Sequence, residues 1–134
     1  MAGESDLNQL LASMTPVLAE DEFVFCTVSP DQANPVGISP VGLFCEAEGT
    51  TLILKRRDAD TCGLPYSYVA KMITLSVHSS LDAVGFIAAI ATRLSQSGIS
   101  VNPVAGYYHD HLFVPNDRAM DAMTILKELS HQPS

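Results

Sequence analysis

The sequence predicts an α+β fold: two ferredoxin-like modules with largely antiparallel sheets and helices on one face. Three observations carry this. The second half runs strand, helix, strand, strand, helix by hydrophobic periodicity. The first half offers helix, three strands and a short helix. The strand Val69–Val77 lies between them and can close one unit while opening the next. The modules are therefore placed at residues 1–68, degenerate and with an N-terminal helix, and at residues 69–134.

Leu7, Leu10, Leu11 and Met14 recur at helical spacing after Ser5 and Asp6 and stop before Pro16, which defines a short amphipathic helix. "EFVFCTVS", Glu22–Ser29, is a strand, and Asp31–Pro40 is a loop rich in Pro and Gly. "VGLFCEAEGTTLILK" is a hairpin turning near Glu48 and Gly49, followed by a short helix or turn that ends at Gly63 and Pro65. After Val69–Val77, Ser79 or Ser80 is expected to cap a helix with Asp82 in its first turn. Ala83, Phe86, Ile87, Ile90, Ala91 and Leu94 form the core stripe of that helix. Gly98 ends it in the left-handed conformation, and Ile99 folds back on Leu94. "ISVNPVAG" and "HLFVP" are strands joined over "GYYHD", with Pro103 where the ladder is open. Asn116 or Asp117 starts a last helix that buries Ala119, Ala122, Met123, Leu126 and Leu129.

Composition narrows the function classes. The chain has 134 residues, 47% of them apolar, which is enough for an ordinary core. Its net charge of −8 argues against nucleic acid or an anionic membrane as main partner. The richest apolar run, Ala83–Ala91, is too short to span a bilayer. The acidic N-terminus lacks a signal peptide's basic start. The three cysteines form no metal pattern, and Cys26 and Cys45 read as small buried strand residues. A cytoplasmic protein is the expectation.

Two stretches carry polar groups suited to chemistry. Ser79–Asp82 lies at a helix start, where free amides and partial positive charge attract a carboxylate or phosphate; a capped helix with nothing bound is the plainer reading. "AGYYHDHLFV" holds Tyr107, Tyr108, His109, Asp110 and His111. His109 and His111, with His78 from another strand, have ligand chemistry for a metal, but no motif supports them. Ser79 or Ser80, His109 or His111, and Asp110 supply the residue types of a hydrolytic triad without a nucleophile elbow. Neither catalytic nor metal-binding residues are assigned, and no cofactor is expected.

The segment "MITLSVHSSLDAVGFIAAIATRLSQSGISVNPVAGYYHDHLFVP" resembles the ACT domain family, small ligand-binding modules that regulate amino-acid metabolism. With "EFVFCTV" and "EAEGTTLIL", the whole chain is similar to a group of small bacterial proteins built from two ACT-like modules. It is distantly similar to animal arginine sensors and aspartate-kinase ACT domains. The resemblance implies a non-catalytic regulatory module binding a small molecule, commonly an amino acid. The site it implies is where strand turns to helix: His78, Ser79, Ser80, Leu81, Asp82, Ala83, Val84 and Gly85, with Asn102, Val104 and Ala105 beside them. Asp110 or Asp82 is the candidate for the ammonium. The first half has a loop where the family has a helix, so a second site there is not expected. ACT modules usually regulate an attached enzyme domain, and none is expected here. The chain is expected to act alone, as a homodimer, or on a separate metabolic enzyme or regulator. A purely structural interaction module, or less readily a His/Asp metal-dependent enzyme, are the competing readings.

Overall fold

A computed structural model describes residues 6–31, 37–77, 79, 81 and 83–131. The elements are α1 (Leu7–Ser13), β1 (Pro16–Val28), β2 (Gly42–Cys45), β3 (Thr50–Lys55), α2 (Arg56–Cys62), β4 (Val69–Leu75), α3 (Phe86–Gln96), β5 (Asn102–Ala105), β6 (Asp110–Pro115) and α4 (Ala119–His131), with a 3₁₀ turn at Asn116–Arg118. They form two compact units, residues 1–19 with 71–134, and residues 20–70. One unit is thus inserted, in chain order, within the other.

The inserted unit orders its strands β2-β3-β1, all antiparallel. Val24, Cys26 and Val28 alternate with outward residues and meet Leu52 and Leu54 on one face, where Ala59 of α2 and Ile38 complete the core. The β2–β3 turn needs Gly49: a Cβ there would stand 2.8 Å from both the Thr27 hydroxyl and the Val28 carbonyl. α2 ends at Gly63 (φ 68), and Leu64 N–H donates back to the Ala59 carbonyl at 2.9 Å. Arg56 is held by Glu22 (3.0 Å) and by the Tyr66 hydroxyl (2.9 Å), which keeps its guanidinium charged.

The discontinuous unit orders its strands β4-β6-β5. Ile73 and Leu75 of β4 and Leu112 and Val114 of β6 share a core with Phe86, Ile90 and Leu94 of α3 and with Ala119, Ala122, Met123 and Leu126 of α4. Asp6 caps α1 by accepting from the Gln9 N–H at 3.0 Å, and Leu10 and Met14 bury into this same core. The N-terminal helix, expected with the first module, therefore packs in the unit formed by the second half, because its apolar stripe meets α3 and α4.

Three expectations need correction. β1 begins at Pro16, six residues before the predicted strand, since proline is tolerated as a first strand residue. Cys45 is exposed, because β2 is an outer strand with three exposed residues, whereas Cys26 is buried and its thiol pKa pushed up by that burial. The third correction is the start of α3. Ser79 does not cap it; the helix opens at Phe86, after Gly85 at φ 90. A serine cap needs its hydroxyl free to reach the first-turn amides, and Ser79 is committed elsewhere. Of the other proposed groups at this turn, Ser80 and Asp82 lie outside the described residues, as does His78. The C-terminus of α3 is as expected: Gly98 has φ 74, and Ile99 donates to the Leu94 carbonyl at 3.1 Å.

Candidate functional site

Between β4 and α3 the chain borders a cavity of about 170 Å³. The first turn of α3 forms one wall, through Phe86, Ile87 and Ala88. The first donor inside the helix is the Ala89 N–H, to the Gly85 carbonyl at 2.9 Å. The amides of Phe86, Ile87 and Ala88 precede it and have no partner within the helix, and they sit at the positive end of the peptide dipoles. Gly85 sets their direction, because its φ of 90 belongs to a region that side-chain-bearing residues rarely enter.

Asp110 forms part of another wall. It opens β6 and is only 6% exposed. Its Oδ2 accepts a hydrogen bond from the Ser79 hydroxyl at 2.7 Å, pinning the strand-to-helix loop to β6. Among the described residues no Lys, Arg or His stands within ion-pair distance of this carboxylate. Burial withdraws this carboxylate from water, and the Ser79 hydroxyl replaces part of that solvation. Leu81, Ala83 and Ala105 supply apolar surface to the same cavity.

Strand parity explains which predicted residues meet. Ala105 pairs with Asp110, so both face the cavity side of the β5–β6 hairpin. Val104 pairs with His111 and Asn102 with Phe113, which puts them on the opposite face, away from the cavity wall. Val84 is 84% exposed and also lies outside it. Of the sequence candidates, Ser79, Leu81, Ala83, Gly85, Ala105 and Asp110 come together; Phe86, Ile87 and Ala88 join them unpredicted. Gly85 itself was the available signal, since glycine is accepted at a helix N-cap and enters positive φ without strain.

The histidines are placed differently. His111 Nδ1 is 2.9 Å from the Thr74 hydroxyl on β4. Burial lowers its pKa first, the charge of His109 adds to this, and Asp110 opposes it, so the ring is neutral at neutral pH. His111 and Asp110 are consecutive on a strand and face opposite ways, so Ser79 and Asp110 are joined directly with no imidazole between them. Among the described residues no three His, Cys, Asp or Glu side chains converge on a metal position, and no helix is long and apolar enough to cross a membrane.

Comparison with known proteins gives two matches to ACT domain models, over residues 2–71 and 67–128. Among solved structures, a Vibrio cholerae protein of unknown function, described as a possible transport protein, is 44% identical with a TM-score of 0.84, over 93% of this chain and 96% of that one. An Agrobacterium tumefaciens protein is 15% identical with a TM-score of 0.71, covering 89% and 90%. The regulatory subunit of Thermus thermophilus aspartate kinase is 9% identical with a TM-score of 0.61, covering 87% and 98%, a likeness of fold alone. No curated protein matches.

Proposed function

The chain belongs to the ACT domain family, and from that premise we propose that it is a non-catalytic sensor that binds a free amino acid at the Ser79–Asp110 cavity. ACT domains are commonly regulatory amino-acid-binding modules, as in the regulatory subunits of aspartate kinases. The observation that carries the reading is the meeting of two features at one cavity: the first turn of α3, whose amides have no acceptor within the helix, and the buried Asp110 carboxylate. The amides receive the ligand's α-carboxylate. Asp110, oriented by Ser79, receives its ammonium. Regulation follows from differential affinity: the ligand stabilises whichever arrangement of the modules binds it better. The chain then acts as a homodimer or on a separate metabolic enzyme or regulator, in the cytoplasm. We place the boundary between its modules at 68/69, within the overlap of the two matched segments.

A thermal-shift screen of the common amino acids tests this. Ligand at about 100 times its Kd adds about 2.7 kcal/mol of stability. Absence of a shift at millimolar concentration with every amino acid rejects the proposal.

A second reading, a ligand-free interaction module, has its own support. β5 is an outer strand exposed along its length, and Tyr107, Tyr108, Leu81 and Val84 leave apolar surface in water. It predicts a stable dimer whose sedimentation is indifferent to every amino acid and unchanged by Asp110→Asn.

A further inference from the structure

We propose that two copies of this chain join through the outer edge of β2, antiparallel and two-fold symmetric, with Phe44 packed against Phe44 of the second copy. This pairing needs no ligand, so it stands apart from the amino-acid reading; it gives the homodimer named there a surface. Each unit ends in an outer strand, β2 in the inserted unit and β5 in the discontinuous one. An outer strand bonds inward through alternate residues and turns the N–H and C=O groups of the others outward.

In β5 the outward row is broken. The Gly106 N–H donates to the His109 carbonyl at 2.9 Å, and Ala105 stands opposite Asp110. By alternation Asn102 and Val104 bond to β6, while Pro103 and Ala105 face outward. Pro103 has no N–H to offer, so this edge lacks a donor. In β2 the Glu46 N–H donates to the Gly49 carbonyl at 3.0 Å, and Phe44 stands opposite Thr51. The same alternation turns Leu43 and Cys45 outward, and both are exposed with their donors intact. A chain with one competent edge cannot extend head to tail; that edge paired with itself closes after two copies.

The register follows from a bulge. The Val41 N–H donates inward to the Ile53 carbonyl at 2.8 Å, although Gly42 is the residue paired with Ile53. Val41 is thereby withdrawn from the outer edge, which leaves Leu43 and Cys45. Setting Leu43 opposite Cys45 of the second copy uses the N–H and C=O of both residues on both copies. The same alignment puts Phe44, 71% exposed, opposite its own copy in a non-hydrogen-bonded pair, where side chains come closest. Glu46 then stands across from Gly42 of the second copy, so the two acidic ends are kept apart. An interface built on a strand of four residues falls in the small class, under roughly 1,200 Å², so the dimer is a reversible one.

The test is sedimentation of the full chain over a concentration series, where a reversible monomer–dimer equilibrium is expected. Phe44→Lys weakens association roughly tenfold or more and, at an exposed position, keeps the melting temperature of the dilute chain. Leu43→Pro, which gives β2 the block that Pro103 gives β5, weakens it likewise. Tyr107→Lys, on the exposed β5–β6 turn, leaves the dimer intact. Phe44→Cys, in a Cys45→Ser, Cys62→Ser background, forms a disulfide-linked dimer with oxidised glutathione, because opposed Cα atoms in such a pair lie roughly 4.5 Å apart, within disulfide reach. A chain that stays monomeric at millimolar concentration overturns the proposal. So does a dimer that survives both β2 substitutions, one that Tyr107→Lys dissolves, or a Phe44→Cys chain that does not cross-link. Amino-acid binding without a dimer overturns this pairing alone; a dimer that binds no amino acid overturns the sensor reading alone.

Discussion

After β4 the chain passes through residues 76–85 into an eleven-residue helix, whereas after β1 it passes through residues 29–41 directly into another strand. The first passage borders a cavity with Asp110 in its wall. The second places Ile38 in the core of its unit. The sequences account for the difference. Phe86, Ile90 and Leu94 give the first passage an apolar stripe that buries against a sheet, so a helix forms and its N-terminal amides become available. Asp31–Pro40 has two prolines, a glycine and few apolar residues, so no such stripe exists, and Ile38 supplies the burial instead. The same position in a repeated plan thus borders a cavity in one unit and supplies a core residue in the other.

The contrast is broken most strongly at that core residue. Ile38→Ala should cost about 2–5 kcal/mol in denaturant melts, while Leu81→Ala on the site side should change stability by no more than about 0.5 kcal/mol. Equal costs would mean that the loop does not act as core.

Two of the left-handed glycines, Gly85 and Gly63, give a finer comparison. Gly85→Ala meets only Leu7 Cδ2 at 3.6 Å, an ordinary contact, so its cost of about 1–2 kcal/mol comes from the backbone conformation. It should also weaken the amino acid, because the first-turn amides turn away. Gly63→Ala, at φ 68 with nothing nearby, should cost a similar amount and leave binding intact. Equal binding losses in the two variants would remove Gly85 from the site.

Ser79→Ala deprives the buried Asp110 of its hydroxyl donor. A loss of about 1 kcal/mol is expected, together with weaker amino-acid binding. Thr51→Ala, which removes an exposed hydroxyl hydrogen bond to Glu46 in the other unit, should be nearly silent in both measurements.

The smallest effect is electrostatic. His111 has a folded-state pKa below its unfolded value, so the unfolded chain takes up a proton first as pH falls. Its contribution to stability is complete above about pH 6.5 and diminishes as pH drops below that, toward the lower folded pKa. His111→Gln should flatten that part of the stability profile, and an unchanged profile would assign the slope to other groups.

Much of this molecule was legible in the chain because it depends on periodicity. The stripe Phe86-Ile90-Leu94, the Gly98–Ile99 clasp, the β2–β3 hairpin and the last helix all follow from local patterns. Around the cavity, Ser79, Leu81, Ala83, Gly85, Ala105 and Asp110 were named through the family resemblance. Asn102 and Val104 fell on the wrong face because strand parity is set by register, and a shift of one residue exchanges the faces. The start of α3 was missed because Ser79 is a good cap by type, yet its hydroxyl is drawn to Asp110, thirty-one residues away.

Local sequence alone determined the helices, the strands, their α+β order and the anionic character of the chain, since each rests on interactions among near neighbours or on composition. Tertiary structure decided where α1 packs, which unit is inserted, which face of β5 meets the cavity, and that Asp110 is buried and bonded to Ser79. Those depend on pairings between distant segments, and the chemistry of the site emerges only when such segments meet.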